Sequence, residues 1–225
     1  MKISPPKFYE LIAVLGCFCC QQKTALTVSD AGELPYLSTK IDTVYYEGTK
    51  KVDTFSYSRI PQFRLINQDS VIVTDQIIKN KVVLAEFFFT SCPSICPLVS
   101  KQLSKVYTTY KSSNNFIILS YTINSEYDTP EVLKSYANDL GVNTSNWQFL
   151  TGDSKQIYDL ANFGYKTTVY NDPDIDGIDG LMHSGILVLV DKNQIIRGLY
   201  DGKDKQDTDR LIKDINVLIN TKEAI

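Results

Sequence analysis

Cys92 and Cys96 lie in the run Ala85-Glu86-Phe87-Phe88-Phe89-Thr90-Ser91-Cys92-Pro93-Ser94-Ile95-Cys96-Pro97, directly after an apolar stretch long enough to be a buried strand. Two thiols one helical turn apart can close a disulfide or hold a soft metal ion. If Cys92 ends the strand and Cys96 starts a helix, both sit at the carboxyl edge of a sheet, where open α/β sheets take their ligands. The field of the helix N-terminus then favours thiolate over thiol. With a full turn between them, the sulfurs reach a common atom with less strain than a direct S–S bond would impose. A disulfide serving only as a staple is the weaker reading, because closing so short a loop removes little chain entropy.

His183 is the sole histidine, in Gly180-Leu181-Met182-His183-Ser184-Gly185 just before a terminal hairpin. A loop entering the penultimate strand packs beside the thiol-bearing helix start when the sheet has a thioredoxin-like topology. An imidazole there would complete an S₂N triangle, a donor set that suits Cu(I). Glu86 is an acid inside an apolar strand, and burying it unpaired would be costly. It either meets a lysine at the sheet edge or works as a proton shuttle to the second thiol, since the buried acid of thioredoxins has the same offset.

The elements that must position these groups follow from the pattern. Phe63-Arg64-Leu65-Ile66 and Ser70-Val71-Ile72-Val73-Thr74 read as an N-terminal hairpin, and Lys81 to Phe89 as a strand buried on both faces. After Pro97, Leu98, Val99, Leu103, Val106, Tyr107 and Tyr110 form one helical stripe. Phe116 to Ile123 is the next strand. Thr129-Pro130-Glu131 starts a helix that Gly141 ends, Trp147 to Leu150 is a short strand, and Asp153 to Asn162 a short helix. Ile186 to Val190 and Ile195 to Tyr200 make the terminal hairpin, followed by a helix from about Asp207 to Asn220. This order predicts an α/β fold, a thioredoxin-like sandwich with a central mixed sheet flanked by helices and an additional N-terminal hairpin. Asp172-Pro173-Asp174-Ile175-Asp176-Gly177 imitates a calcium loop, but His183 stands where the bidentate Glu is wanted, so it reads as a solvated acidic loop.

The string Phe87 to Pro97, together with Asp128-Thr129-Pro130-Glu131-Val132-Leu133 and His183, resembles the Sco/SenC family from about Ile60 to Asn220. That family comprises membrane-anchored, thioredoxin-fold copper proteins that help load the binuclear copper centre of cytochrome c oxidase. The resemblance implies Cys92 and Cys96 as thiolate ligands, His183 as the imidazole ligand, copper as Cu(I) or Cu(II), and a Cys92–Cys96 disulfide interconverting with the dithiol. It implies a respiratory oxidase copper-centre subunit and a thiol reductant as partners. The chain departs from the family pattern at two places: where the family commonly has an acidic residue at the strand end before the D-T-P-E run, this chain offers Tyr121-Thr122-Ile123-Asn124-Ser125-Glu126-Tyr127, and where the family often has Asp before the histidine, it has Met182. The alternative is an extracytoplasmic thiol:disulfide oxidoreductase in which Cys92 attacks and Cys96 resolves. A peroxide-reducing relative of the peroxiredoxins fits the paired motif poorly.

The 225 residues, 43% hydrophobic, suffice for one well-filled domain, expected at 60–225 behind a tether or arm at 21–59. With 23 basic and 26 acidic residues there is no field to hold a phosphate backbone, so nucleic acid is not an expected partner. Residues 1–20 read as an export leader: Lys2 and Lys7 precede Leu11-Ile12-Ala13-Val14-Leu15-Gly16, and Val14-Leu15-Gly16-Cys17 resembles a bacterial lipobox. Lipidated Cys17 would anchor the chain to a membrane of the bacterial cell envelope, facing the periplasm or exterior. Cys19 and Cys20 have no assigned role.

Overall fold

The computed structural model describes residues 33–47, 50–171 and 181–221. The leader with Cys17, Cys19 and Cys20 and the acidic loop at 172–180 lie outside the described residues. In chain order the strands are β1 (Thr39–Glu47), β2 (Lys50–Tyr57), β3 (Arg64–Asn67), β4 (Ile72–Thr74), β5 (Val82–Phe88), β6 (Phe116–Thr122), β7 (Trp147–Thr151), β8 (Val169–Asn171), β9 (Leu181–His183), β10 (Ile186–Val190) and β11 (Ile196–Asp201). The helices are α1 (Cys96–Tyr110), α2 (Pro130–Asp139), α3 (Ser154–Asp159) and α4 (Lys205–Asn220).

The central sheet has seven strands in the order β11-β10-β5-β6-β7-β3-β4. β5, β6 and β7 run parallel, while β10 pairs antiparallel with β5, and β3 antiparallel with β7. Every position of β5 and β6 is buried, as continuous apolar runs in a doubly covered sheet require. α1, α2 and α4 cover one face. Ser100 and Tyr136 join α1 to α2 at 2.8 Å, and the Tyr110 hydroxyl donates to the Ile212 carbonyl of α4 at 2.6 Å. On the other face Phe87 stacks on Tyr121 at 5.1 Å, and the Tyr121 and Tyr165 hydroxyls meet at 2.8 Å.

The expected thioredoxin-like sandwich is thus present, with the β3–β4 hairpin at its N-terminal side. Two features depart from the pattern reading. Leu98, assigned to the α1 stripe, is 53% exposed, because it lies about 100° round the helix from Val99, which with Leu103 and Val106 makes the buried face. Within the stretch expected as a tether or arm, Thr39–Glu47 and Lys50–Tyr57 pair as the antiparallel β1–β2 ribbon.

Residues just before that ribbon are docked on edge strand β11. The Leu37 N–H donates to the Ile196 carbonyl at 3.0 Å, and Arg197 donates to the Leu34 carbonyl, to the Pro35 carbonyl at 3.0 Å and to Asp191 at 2.9 Å. The guanidinium also lies 3.9 Å from the Tyr36 ring centre. A buried ion pair with its remaining donors satisfied in this way avoids the cost of an isolated charge, and the cover blunts an otherwise open strand edge. Because Ile196 pairs with Val190 and Val190 with Val83, this docking point is at the end of the sheet opposite Cys92.

Candidate metal and thiol site

β5 delivers the chain to the carboxyl edge of the sheet, where Phe89 to Ile95 turns into α1. The turn is held by Asp128, fully buried, which accepts from the Thr90 N–H at 3.1 Å and from the hydroxyls of Thr90 and Thr122. One carboxylate therefore ties the exit of β5 to the exit of β6 and to the chain entering α2, which Thr129 caps by accepting from the Val132 N–H. In the sequence the D-T-P-E run reads as a helix start. That accounts for Thr129 and Pro130 but does not reveal that Asp128 reaches back to the residue two before Cys92.

Cys92 and Cys96 are both buried, at 8% and 4% exposure, and both are thiols. Burial would raise the Cys92 thiol, but backbone hydrogen bonds from Cys96 and Ser94 and side-chain bonds from Cys96 and Ser94 outweigh it, so its pKa lies below the ordinary value. The Ser94 hydroxyl lies 3.8 Å from the Cys92 sulfur. These donors are the unspent N–H groups of the α1 start, where Ile95 supplies no side-chain cap. Cys96 is the opposite case. Burial drives its pKa far up against a Phe89 backbone bond, and the charges of Glu86 and Cys92 add to the rise. The two sulfurs are shifted in opposite directions, Cys92 down and Cys96 up, an asymmetry that the spacing alone does not reveal. No Asp, Glu, Lys or Arg occurs from Phe87 to Ser100, so hydrogen-bond donors of the motif itself lower Cys92, while Glu86 just before it acts on Cys96.

Glu86 lies on the α1 side of β5 and is 5% exposed. Burial pushes its carboxyl up to about 7 against a lowering bond from Ser120. The Ser120 hydroxyl donates to Glu86 and accepts from the Trp147 indole N–H at 2.8 Å, so the acid ends a buried Trp–Ser–Glu chain. The expected alternative of a lysine partner is not what the structure shows: Lys81 precedes the strand, and the hydroxyl of neighbouring strand β6 meets the carboxyl instead.

His183 was expected in a loop and stands instead at the end of β9, its backbone paired with Val169 of β8. Two residues later Gly185 packs on α1: a Cβ built there would lie 3.5 Å from Ile95 Cδ1 and 3.7 Å from Val99 Cγ2, the residues that bracket Cys96. The structure therefore brings Cys92, Cys96 and Glu86 together and packs Gly185, two residues after His183, on the same helix start. Cys17 lies outside the described residues. Among those residues no helix is long and apolar enough to cross a membrane.

A family model described as SCO1/SenC matches residues 52–220. The chain is 30% identical over 170 residues to a SCO1 protein homolog of Bacillus subtilis, covering 75% of this chain and 86% of that protein. The fold superimposes on a SCO1/SenC family lipoprotein from Bacillus anthracis with TM-score 0.64 and 26% identity, covering 71% of this chain and 94% of the other. It also superimposes on BsSco, described as a member of the Sco family of cytochrome c oxidase assembly proteins with a disulfide switch, with TM-score 0.63 and 28% identity over 73% and 95% of the two chains.

Proposed function

The chain belongs to the SCO1/SenC family, and from that premise we propose that it is a lipid-anchored, exported assembly factor that carries copper to a respiratory oxidase copper centre, with Cys92, Cys96 and His183 as the metal donors. The observation that carries this reading is the pair of buried thiols, Cys92 with a lowered and Cys96 with a raised pKa, at the entry to α1, with Gly185, two residues after the only histidine, packed on that helix start. The donor set fits the cargo. Thiolates select soft ions, and an imidazole completes a low-coordinate set suited to Cu(I).

Capture of Cu(I) requires both thiols to lose their protons, and burial opposes that most strongly at Cys96, so loading releases protons and weakens as pH falls. Oxidation of the pair by a partner disulfide, which takes up the two electrons and leaves as two thiols, removes both thiolates and lets the ion go. The BsSco relative is described as having a disulfide switch. An exported chain then needs a thiol reductant to return it to the loading state. The resemblance of Val14-Leu15-Gly16-Cys17 to a lipobox, and a relative described as a lipoprotein, support Cys17 as the anchor.

The second reading, thiol:disulfide exchange, is favoured by the same thiol asymmetry. Cys92 thiolate attacks a partner disulfide and expels one partner thiolate. Cys96 then loses its proton and attacks Cys92, expelling the second thiolate; two electrons pass to the partner, and the domain is left as the disulfide. Glu86, below Cys96, is the acceptor for the proton that Cys96 gives up.

The two readings separate at His183. In the full chain, His183→Ala is expected to weaken Cu(I) binding by at least about 10-fold, measured by chelator competition, while leaving the rate of exchange with a model disulfide unchanged. Equal copper affinity in the variant and the parent would remove the assembly reading and leave the oxidoreductase.

A further inference from the structure

Gly202, in the turn between β11 and α4, has no place in the chemistry above, yet it is wedged against the segment that carries His183. Its N–H donates to the Gly185 carbonyl at 3.0 Å. A Cβ at Gly202 would lie 2.8 Å from that same carbonyl oxygen, 3.0 Å from Val99 Cγ1 and 3.1 Å from Leu187 Cγ. The first contact is with backbone, so a side chain here cannot be accommodated by turning a rotamer, and the Gly185 segment must move. Gly185 itself has φ +66°, a left-handed conformation that a residue with a Cβ adopts only under strain. It faces Ile95 and Val99 at ordinary contact distance.

These contacts make a three-part clamp. The α1 start is one jaw, the β11–α4 turn is the other, and the chain entering β10 passes between them without side chains at the two closest positions. Only Ser184 separates the clamped residue from His183. At about 3.8 Å between successive Cα atoms, the His183 backbone is held within about 8 Å of the point of clamping. The jaw on α1 is made by the residues that bracket Cys96.

We propose that Gly185 and Gly202 are positioning residues that fix the strand bearing His183 against the helix bearing Cys96, and so set the spacing of the three metal donors. This rests on the reading of Cys92, Cys96 and His183 as the copper site. Plain turn packing is the competing account of the same contacts. It predicts that widening the clamp costs stability but has no special relation to the histidine.

A double-mutant cycle on the full chain separates the two. Cu(I) affinity is measured by chelator competition in the parent, Gly202→Ala, His183→Ala and the double variant, and the rate of Cys92 alkylation is measured in each. If the clamp acts through His183, Gly202→Ala weakens copper binding by at least about 10-fold in the parent and by less than about 2-fold in the His183→Ala background, with the alkylation rate unchanged. Equal losses in both backgrounds, or an unchanged affinity in Gly202→Ala, would overturn the proposal. Should Gly202→Ala fail to fold, Gly185→Ala, whose new Cβ has room beside Ile95 and Val99 but strains the backbone at φ +66°, enters the same cycle. A His183→Ala parent that binds copper as tightly as the unaltered chain would instead sink the copper-site reading itself, and the two failures are told apart.

Discussion

Serine at Cys92 is expected to abolish copper capture and thiol exchange together, whereas serine at Cys96 separates them. Cys92 is the sulfur whose pKa is brought below the ordinary value by the backbone at Cys96 and Ser94, so near neutral pH it supplies the nucleophile and the first thiolate for a metal. Cys96 keeps its proton under burial and the nearby charges of Glu86 and Cys92, so it is a poor nucleophile until its neighbour has reacted. In Cys92→Ser, alkylation at neutral pH should therefore fall to near background even though one domain thiol remains. In Cys96→Ser, Cys92 should still alkylate, with a pH midpoint below that of an ordinary cysteine. A mixed disulfide with a partner should accumulate for want of a resolving thiol. Copper binding should weaken at least about 100-fold in both, since loss of an outer-shell partner alone costs about 10–100-fold. Brisk neutral-pH alkylation of Cys92→Ser would reverse the assignment of the two sulfurs.

The second large effect is on stability and follows from Glu86. Burial raises its carboxyl from 4.5 to about 7, against a weaker opposing bond from Ser120. Between those values the folded chain holds a proton that the unfolded chain has released, so the native state is favoured at low pH and that advantage is lost as pH rises through about 7. Glu86→Gln keeps the shape without the ionisation. Urea unfolding should show the variant and the parent alike near pH 5 and the variant more stable near pH 8.5, by on the order of 3 kcal/mol at most. Of the two thiols only Cys96 feels the Glu86 charge, and burial keeps that thiol protonated at both pH values, so the difference reports on Glu86. If Glu86 also takes the proton from Cys96, the inflection of disulfide exchange near neutral pH should disappear in the variant. A stability difference that does not change with pH would mean that the carboxyl is already ionised when buried, and an unchanged exchange profile would remove the shuttle.

Much of this architecture was legible in the chain because its signals are local. The apolar run into Cys92 fixes a buried strand, Pro97 and the Val99, Leu103, Val106 spacing fix the following helix, and Thr129-Pro130 with Gly141 fixes both ends of α2. The residues that tune the site are less legible, because their partners are distant in sequence or belong to the backbone. Asp128 reaches Thr90 across 38 positions, and Arg197 reaches the carbonyls of Leu34 and Pro35 across more than 160, leaving no side-chain pattern to read. Glu86 invites a charged partner by the cost of burying it, and the structure answers with a hydroxyl on the next strand. The β8–β9 pair that places His183 consists of two strands of only three residues each, too short for alternation to show. Gly202 is silent in the sequence, since glycine in a hairpin-to-helix turn is ordinary until its missing Cβ is found to be the space that the neighbouring chain occupies.

The arrangement as a whole separates two ends of the domain. The thiols crown the carboxyl edge of β5, while the N-terminal arm is clasped by Arg197 at the far end of the sheet.

The most direct test of the copper site is X-ray absorption on the reduced full chain loaded with one equivalent of Cu(I), beside His183→Ala. The reading offered here predicts two sulfur scatterers and one imidazole nitrogen, with the nitrogen lost in the variant and both sulfurs retained. A sulfur-only shell identical in the two proteins, or a shell without sulfur, would contradict it.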